Sequence, residues 1–203
     1  MPVPFQPSLL DDVPGLGPLT RARRTPLAHG AWIDHLPGWL TGADALFTHL
    51  AATVPWRAER REMYDSLVDV PRLLSFYDEN DKLPDPLLAA ARSALNTHYQ
   101  AAFTTAGLCF YRNGRDSVTW HGDRTGRGGH EDTLVAIISV GAPRALLLRP
   151  RNGHAGPLRH HLGHGDLLVM GGSCQRTWDH SVPKTARPVG PRISIQFRPW
   201  GIR

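Results

Sequence analysis

The pattern of apolar and polar positions changes after Gly107. From there to the C-terminus, short apolar or alternating runs are separated by Gly, Pro, Asn and Asp, with no helical run between them. We predict eight strands, at residues 108–112, 117–121, 133–140, 144–149, 157–162, 166–170, 176–182 and 191–198. Short strands at such close spacing are typical of an antiparallel sandwich or jelly roll and not of a parallel sheet.

Helical spacing occurs only in the first half of the chain. We predict a helix from Thr41 to Val54, with Thr41 as its cap and Asp44 completing a capping box. A second helix is predicted to begin near Asp85, with Pro86 in its first position, where the missing amide proton costs nothing.

These elements predict a mostly β protein with flanking helices. Residues 1–40 begin rich in Pro, Gly and Arg without periodicity, so we expect a loosely ordered N-terminal extension there. Residues 41–203 are expected to form a single domain, because 203 residues suit one domain. Within it, helices between residues 41 and 100 would pack on a β-core between residues 107 and 200.

The bulk composition fits a folded protein of the cytoplasm. The chain is 41% hydrophobic and 20% charged, which is enough to bury a core. No apolar run is long enough for a transmembrane helix, and no signal peptide is recognisable. Two cysteines cannot form a disulfide framework, so we expect a reducing, cytoplasmic location, and we expect a monomer.

Charge is distributed unevenly along the chain. Residues 1–100 carry 9 Lys and Arg against 12 Asp and Glu, whereas residues 101–203 carry 14 against 6. Nearly all the cations are arginines, which suit two-pronged contacts with phosphate or carboxylate. The basic half, residues 101–203, is compatible with a polyanionic partner such as nucleic acid, and equally with ordinary solvated surface arginines.

Three H-x-D triplets are candidates for metal binding, because two histidines and one carboxylate form the facial triad of non-haem iron oxygenases. With this composition roughly 0.8 such triplets arise by chance, and the chain has His121-Gly122-Asp123, His130-Glu131-Asp132 and His164-Gly165-Asp166. Only the first ends an alternating strand, and His180 follows 59 residues later, far enough for intervening strands to return it. We therefore favour His121, Asp123 and His180.

The last predicted strand alternates strictly. Its polar residues, Arg192, Ser194, Gln196 and Arg198, share one face. Two arginines pointing into a barrel are costly unless they meet anions, and a dicarboxylate such as 2-oxoglutarate would supply them. The alternative is a polar face in solvent, which is common in antiparallel sheets. Taken with the triad, the inward orientation is favoured.

Four separated segments resemble the AlkB family of alkylated-base dioxygenases. They stand in the family's order at residues 111–123 (YRNGRDSVTWHGD), 139–144 (SVGAPR), 164–172 (HGDLLVMGG) and 175–198 (QRTWDHSVPK leading to Arg192 and Arg198). Val70-Pro71-Arg72 resembles the start of the family's substrate-facing region. The resemblance covers about residues 70–200.

The resemblance implies a double-stranded β-helix, the cupin-like jelly roll, that matches the eight predicted strands. It implies Fe(II) bound by His121, Asp123 and His180, and 2-oxoglutarate held by Arg192 and Arg198 with help from Tyr111. It also implies oxidative demethylation of N-alkylated bases in DNA or RNA with O2, releasing formaldehyde, succinate and CO2. Such a base must leave the stack to be reached.

The chain departs from the family at several positions. Cys109 replaces the amide of the family's N-x-Y, and Ser194 stands where many members have Asn beside the cosubstrate. Arg124 and Thr125 follow the H-x-D triplet in place of an acidic pair, so we regard these two as candidate substrate contacts.

The region that would face the substrate is short. Tyr77 is a further candidate substrate contact, because it could stack on a flipped base. The stretch from Pro71 to Pro86 lacks much of the family's duplex-opening aromatic hairpin, which favours single-stranded substrates. Two alternatives remain, since fold and triad do not fix a substrate: a 2-oxoglutarate-dependent hydroxylase of a protein or small molecule, and a binding module without catalysis.

Overall fold

The structure, a computed structural model, describes residues 13–63, 66–124, 126–153 and 156–202. The strands of this part of the chain are β1 Gly15–Leu16, β2 Arg23–Pro26, β3 Ala31–Leu36, β4 Leu40–Thr41, β5 Arg57–Met63, β6 Ser66–Tyr77, β7 Phe103–Tyr111, β8 Val118–His121, β9 Val135–Gly141, β10 Arg144–Pro150, β11 Leu158–Leu162, β12 Asp166–Gly172, β13 Trp178–Val182 and β14 Arg192–Pro199. The α-helices are α1 Ala43–Thr53, α2 Pro86–Tyr99 and the short α3 Cys174–Thr177.

Two antiparallel sheets face each other. The larger has the order β2-β3-β12-β9-β14-β7-β6-β5, and the smaller has the order β11-β10-β13-β8. All eight predicted strands are present, as β7 to β14. Four lie in each sheet, so that the chain passes back and forth between the two layers. The predicted mostly β, jelly-roll architecture is confirmed.

The core has two layers, one on each side of the larger sheet. Outward-facing residues of that sheet, among them Ile193, Ile195 and Phe197, pack against the helices. Inward-facing residues of both sheets, among them Ile137, Leu146 and Val182, fill the space between the sheets. The period of two along each strand assigns alternate residues to these layers.

The two predicted helices are present, with one difference. Helix α2 begins as expected: Pro86 is its first residue, and Asp85 Oδ1 accepts the amide proton of Leu87 over 2.8 Å. Helix α1, however, is preceded by Gly42 in a left-handed conformation without a side-chain cap. The predicted cap was wrong, because Thr41 belongs to β4 and its hydroxyl donates to the carbonyl of Val13. No helix of the described residues is long and apolar enough to cross a bilayer.

The N-terminal segment differs from the expected loose extension. Strand β3 pairs with β12 over six positions, and β2 pairs with β3 along the edge of the larger sheet. The sequence hides this strand because buried Asp34 interrupts its apolar pattern. The Arg24 guanidinium donates to both oxygens of the Asp34 carboxylate over 2.8 Å, and the Tyr99 hydroxyl donates to the same carboxylate over 2.9 Å. Of residues 1–40, those before 13 lie outside the described part.

A hairpin missed by the sequence analysis borders the other edge. Strands β5 and β6 pair with each other, and β6 pairs with β7. The charge-rich sequence of β5 gave no strand signal, although charged side chains are common on edge strands, where they discourage aggregation. The stretch from Pro71 to Pro86 therefore contains the end of this hairpin and the turn into α2.

Candidate metal centre and adjoining cavity

The three predicted metal ligands meet at one end of the smaller sheet. His121 ends β8 and is paired with His180 of β13, while Asp123 follows two residues after His121. One ligand atom from each lies within 4.8 Å of the others, and the two imidazole centroids are 4.3 Å apart. Asp123 and His180 are buried, and His121 is partly exposed.

The orientation of His121 is set within its own strand. Its Nδ1 lies 2.8 Å from the carbonyl oxygen of Thr119. A carbonyl only accepts, so Nδ1 carries the proton and Nε2 keeps its lone pair for a metal. Such contacts commonly fix the tautomer of a metal-binding histidine.

Asp123 is held from two sides. Its amide donates to Oε1 of Gln175 over 3.0 Å, and its Oδ2 accepts from Nε of Arg198 over 2.9 Å. Burial acts to raise the pKa of Asp123, but Arg198 and the two histidines outweigh it and lower this pKa to about 2. The carboxylate is therefore ionised at neutral pH.

Burial also keeps His180 neutral. It lowers the pKa of His180 to about 3, with the nearby His121 acting in the same direction. Unprotonated imidazoles and a carboxylate are the forms that bind divalent metals. The donor set of two nitrogens and one oxygen, on one side of an open space, fits Fe(II).

A cavity of about 820 Å³ opens beside the triad. Arg192, Ser194, Gln196 and Arg198 all line it, as the alternation of β14 predicts. The alternative of a solvent-facing polar strand fails, because Arg192 is only 1% exposed. The cavity thus combines four polar side chains of one strand with the three candidate ligands.

Arg192 is the most deeply buried cation of this cavity. Its Nε donates to Oγ of Ser139 over 2.8 Å, but Nη1 reaches no hydrogen-bond partner among the described residues. Burial lowers the pKa of Arg192, which reflects a charge held away from water. A buried donor without an acceptor is costly, so an anionic ligand at Nη1 would stabilise the site.

Tyr111 lies beside this arginine. The guanidinium carbon of Arg192 is 5.3 Å from the centroid of its ring, and the residue lines the cavity. Burial, and secondarily Cys109, raises the pKa of Tyr111 to about 12. Its hydroxyl therefore stays protonated and can donate to a carboxylate.

A polar network connects β14 to Asp123. Gln196 Nε2 approaches Ser194 Oγ at 3.2 Å and Cys109 Sγ at 3.5 Å, while its Oε1 accepts from Nη2 of Arg198 over 2.9 Å. Arg198 then uses Nε to hold Asp123. Arg198, which is expected to bind the cosubstrate, is thus also hydrogen-bonded to Asp123, a candidate metal ligand.

The other two H-x-D triplets have structural surroundings. The Asp166 carboxylate accepts the amides of Gly38 and Gly163 and closes the turn into β12. His164 Nδ1 accepts the amide of Gly141 over 2.8 Å. His130 is exposed on the surface.

Of the three candidate substrate residues, the two that the structure describes, Tyr77 and Arg124, do not line the cavity. Tyr77 packs against the helical layer, since it pairs with buried Ala106 on the far face of the sheet. Its neighbour Phe76 lines the cavity instead. Arg124 does not line the cavity but lies 3.6 Å from Asp179 on the outer side. Thr125 lies outside the described residues.

Three residues at the site were not among the predicted site residues, although Gln196 and Arg72 stood in segments that the sequence had singled out. Gln196 could have been chosen, because it shares the inward face with Arg192. Arg72 lines the cavity and donates from Nη1 to the carbonyl of Ser117. Gln175 gave no signal, because its partner is a backbone amide 52 positions away.

Comparisons with known proteins agree with this geometry. The model of the 2OG-Fe(II) oxygenase superfamily matches residues 70–198. The solved structure of OsALKBH1 superposes with a TM-score of 0.54 at 15% identity, covering 87% of this chain and 100% of that one. At that identity the likeness concerns the fold.

Similar curated proteins include three AlkB homologues. The alpha-ketoglutarate-dependent dioxygenase alkB homolog 3 of Bos taurus is 31% identical over 186 residues, covering 80% of this chain and 64% of the relative. Its Homo sapiens counterpart is 29% identical over 178 residues, covering 77% and 61%.

The DNA oxidative demethylase ALKBH2 of Arabidopsis thaliana is 34% identical over 118 residues, which cover 47% of this chain and 37% of that protein. The chain spans less than two thirds of the length of each of these three relatives. With the family match over most of its β-core, the chain belongs to the 2OG-Fe(II) oxygenase superfamily, within the AlkB family.

Proposed function

We propose that this protein is an Fe(II)- and 2-oxoglutarate-dependent dioxygenase that removes N-alkyl groups from bases of DNA or RNA. The observation that carries the proposal is the meeting of two features in one cavity. The His121, Asp123 and His180 triad lies at its wall, and Arg192, whose Nη1 has no hydrogen-bond partner among the described residues, lines the same space.

In this proposal the triad holds the iron. His121 would bind through Nε2, because Nδ1 is bonded to Thr119, and Asp123 and His180 would complete one face. Arg198 holds the Asp123 carboxylate in place and so orients that ligand.

The cosubstrate would occupy the same cavity. Arg192 offers Nη1 to one carboxylate of 2-oxoglutarate, with the protonated hydroxyls of Tyr111 and Ser194 nearby as further donors. Arg198 adds a second positive charge at the iron end of β14. Two arginines on one strand match a dicarboxylate.

Bound iron and 2-oxoglutarate would activate O2 to oxidise the alkyl carbon, so that a methyl group leaves as formaldehyde while succinate and CO2 form. The protein's residues bind and orient the reactants and limit water. Apolar side chains of the inner layer, among them Val135, Ile137 and Leu146, line the cavity beside the polar strand and keep the reacting end poorly hydrated.

Two observations support a nucleic-acid substrate. The similar curated proteins include DNA oxidative demethylases. On the outer side of the site, Arg124, Arg149 and Arg151 lie within 3.6 to 3.8 Å of the single carboxylate of Asp179. This cluster has a net positive charge, and arginines are common phosphate contacts. We propose that Arg124 contacts the phosphate backbone of the nucleic acid and not the target base.

We infer a preference for single strands. A base must lie outside a duplex stack to reach the triad, and a single strand requires no opening. Between Pro71 and Pro86 the chain passes from β6 through a turn into α2, and Phe76 is the only large, exposed hydrophobic residue there. We further infer that residues 13–202 act as one oxygenase domain, since β3 and both longer helices pack on the larger sheet.

The decisive test is formaldehyde release from 1-methyladenine or 3-methylcytosine in oligonucleotides, supplied with Fe(II) and 2-oxoglutarate. We expect release that His121→Ala and Asp123→Ala abolish, and faster release from single strands than from duplexes. Equal rates on both would overturn the strand preference. Consumption of 2-oxoglutarate that no alkylated nucleic acid stimulates would favour a protein or small-molecule substrate instead.

A further inference from the structure

A second, smaller groove adjoins the cavity. It has a volume of about 250 Å³ and is lined by Phe76, Asp78, Thr105, Gly126, Trp200, Gly201 and Ile202. Phe76 and Ile202 also line the large cavity, so the two spaces are neighbours across these side chains.

Two exposed aromatic rings border this groove. Trp200 is 59% exposed and Phe76 is 46% exposed, and they are the only exposed Phe, Tyr or Trp residues among the described large hydrophobics. Exposed apolar side chains that gather at one place commonly mark a binding surface. Here they gather next to the candidate catalytic cavity.

Trp200 is presented by a fixed turn. Ile202 donates its amide to the carbonyl of Pro199, and Gly201 has a φ of 75°, a conformation that side chains disfavour. The turn is held from outside by a bridge between Ile202 and Gly126 and by the amide of Arg127, which donates to the carbonyl of Gly201. A ring on a supported turn loses little freedom on binding.

The chemistry of the groove suits a base and not a phosphate. Of the described residues that line it, none is cationic, and one, Asp78, is anionic. Aromatic faces stack on nucleic-acid bases without regard to sequence, and a carboxylate accepts from exocyclic amino groups. Phosphates would find arginines outside the groove, such as Arg127 beside Gly201.

We propose that the groove between Phe76 and Trp200 binds the unpaired base of the nucleotide next to the target base on the same strand. This inference rests on the proposed function and adds a second recognition site to it. It makes the enzyme recognise a strand of at least two nucleotides, since one base enters the cavity and its neighbour stacks outside.

The test compares two substrates. One is a single-stranded oligonucleotide with one 1-methyladenine, and the other is the mononucleotide of the same base. Trp200→Ala is expected to raise KM for the oligonucleotide roughly tenfold, the scale of one lost stacking contact, and to leave KM for the mononucleotide unchanged. Trp200→Phe should stay within about twofold of the wild type, because it keeps an aromatic face.

Leu158→Ala is the matched control, because Leu158 is 40% exposed, lies on β11 of the other sheet and lines neither space. Dissociation constants for 2-oxoglutarate and melting temperatures should be equal in all variants. If Trp200→Ala raised KM for both substrates alike, or for neither, the inference would be overturned. The same holds if sedimentation showed Trp200→Ala to dissociate a dimer of the wild type, since the groove would then bind a second copy.

Failure of the proposed function gives a different result. In that case the wild type would release no formaldehyde from either substrate, and the inference would fall with it. Formaldehyde release by the wild type with equal oligonucleotide KM in Trp200→Ala overturns the groove alone.

Discussion

Arg198 Nε donates to Oδ2 of Asp123 over 2.9 Å, so a cation of the last strand holds a candidate metal ligand 75 positions earlier. The same guanidinium is bonded through Nη2 to Gln196. One side chain therefore joins the metal end of the cavity to the strand that we propose for the cosubstrate.

Replacing this arginine should weaken metal binding. In Arg198→Met we expect the dissociation constant for Fe(II), measured by anaerobic titration, to rise about 10- to 100-fold, the range for lost contacts behind metal ligands. Arg198→Lys should restore little, because an ammonium lacks the fork that reaches Asp123 and Gln196 together. Arg127→Met is the control, since that arginine is exposed and pairs with Glu131. Unchanged metal affinity in Arg198→Met would contradict the assignment.

Arg192 should dominate cosubstrate affinity. Arg192→Gln removes the buried charge, and we expect the dissociation constant for 2-oxoglutarate to rise about 100-fold, from a loss of about 3 kcal/mol for a charged hydrogen-bonding partner. Ser139→Ala removes the contact that orients Arg192 and should raise the dissociation constant for 2-oxoglutarate only about fivefold. Calorimetric titration of the metal-loaded protein checks both values. Equal affinities in all three proteins would show that the ligand binds elsewhere.

The loop after Asp123 should tolerate no side chain at Gly128. A Cβ there would meet the carbonyl oxygen of Asp123 at 2.1 Å, which is backbone that cannot swing away. Gly128→Ala should therefore lower the free energy of unfolding by about 1–3 kcal/mol and reduce metal affinity as Asp123 shifts. Gly156→Ala is the matched control, because a Cβ there meets no atom of the described residues within 4 Å. Denaturant unfolding and metal titration compare the two variants. If both had the same stability and the same metal affinity, the predicted steric clash at Gly128 would be wrong.

Asp166 should stabilise the fold in a pH-dependent way. Burial acts to raise its pKa, but hydrogen bonds from His35, Gly163 and Gly38 outweigh this and leave the pKa lowered. Its contribution is therefore present above the unfolded value of about 4 and is lost as the pH falls through the folded pKa. Asp166→Asn should cost about 1–3 kcal/mol at pH 7, because one amide loses a charged acceptor.

The difference in unfolding free energy between wild type and Asp166→Asn should shrink as the pH falls from 5 towards 3. Urea unfolding at several pH values measures it. A difference that grew as the pH fell would show that the pKa of Asp166 is raised and not lowered in the folded protein.

The sequence predicted the β-core well, because its short strands are separated by turn residues and the last strand alternates with a period of two. The alternation from Arg192 to Arg198 assigned four side chains to the cavity and three to the helical layer, as found. His121, Asp123 and His180 come together because His121, at the end of β8, pairs with His180, in the middle of the neighbouring strand β13, and Asp123 follows two residues after His121.

The N-terminal strands were not predictable in this way. Asp34 lies buried in β3 only because Arg24 and Tyr99 satisfy its carboxylate, and Tyr99 is 65 positions distant. Tyr77 was predicted to face the substrate without a known strand register, and a shift of one residue exchanges the faces of a strand. No sequence pattern marks Trp200. The turn that presents it is held by a bridge between Gly126 and Ile202, which are distant in the sequence.

Strand β8 lies at the edge of the smaller sheet, and its described pairing with β13 consists of two positions with a register break between them. One of those positions joins His121 to His180. An ion bound to both imidazoles would cross-link this sparsely bonded edge to its neighbour. Amide hydrogen exchange along residues 118–123 should therefore slow when the ion binds and quicken on chelation, because loading the centre would also oppose local unfolding of the strand that carries it.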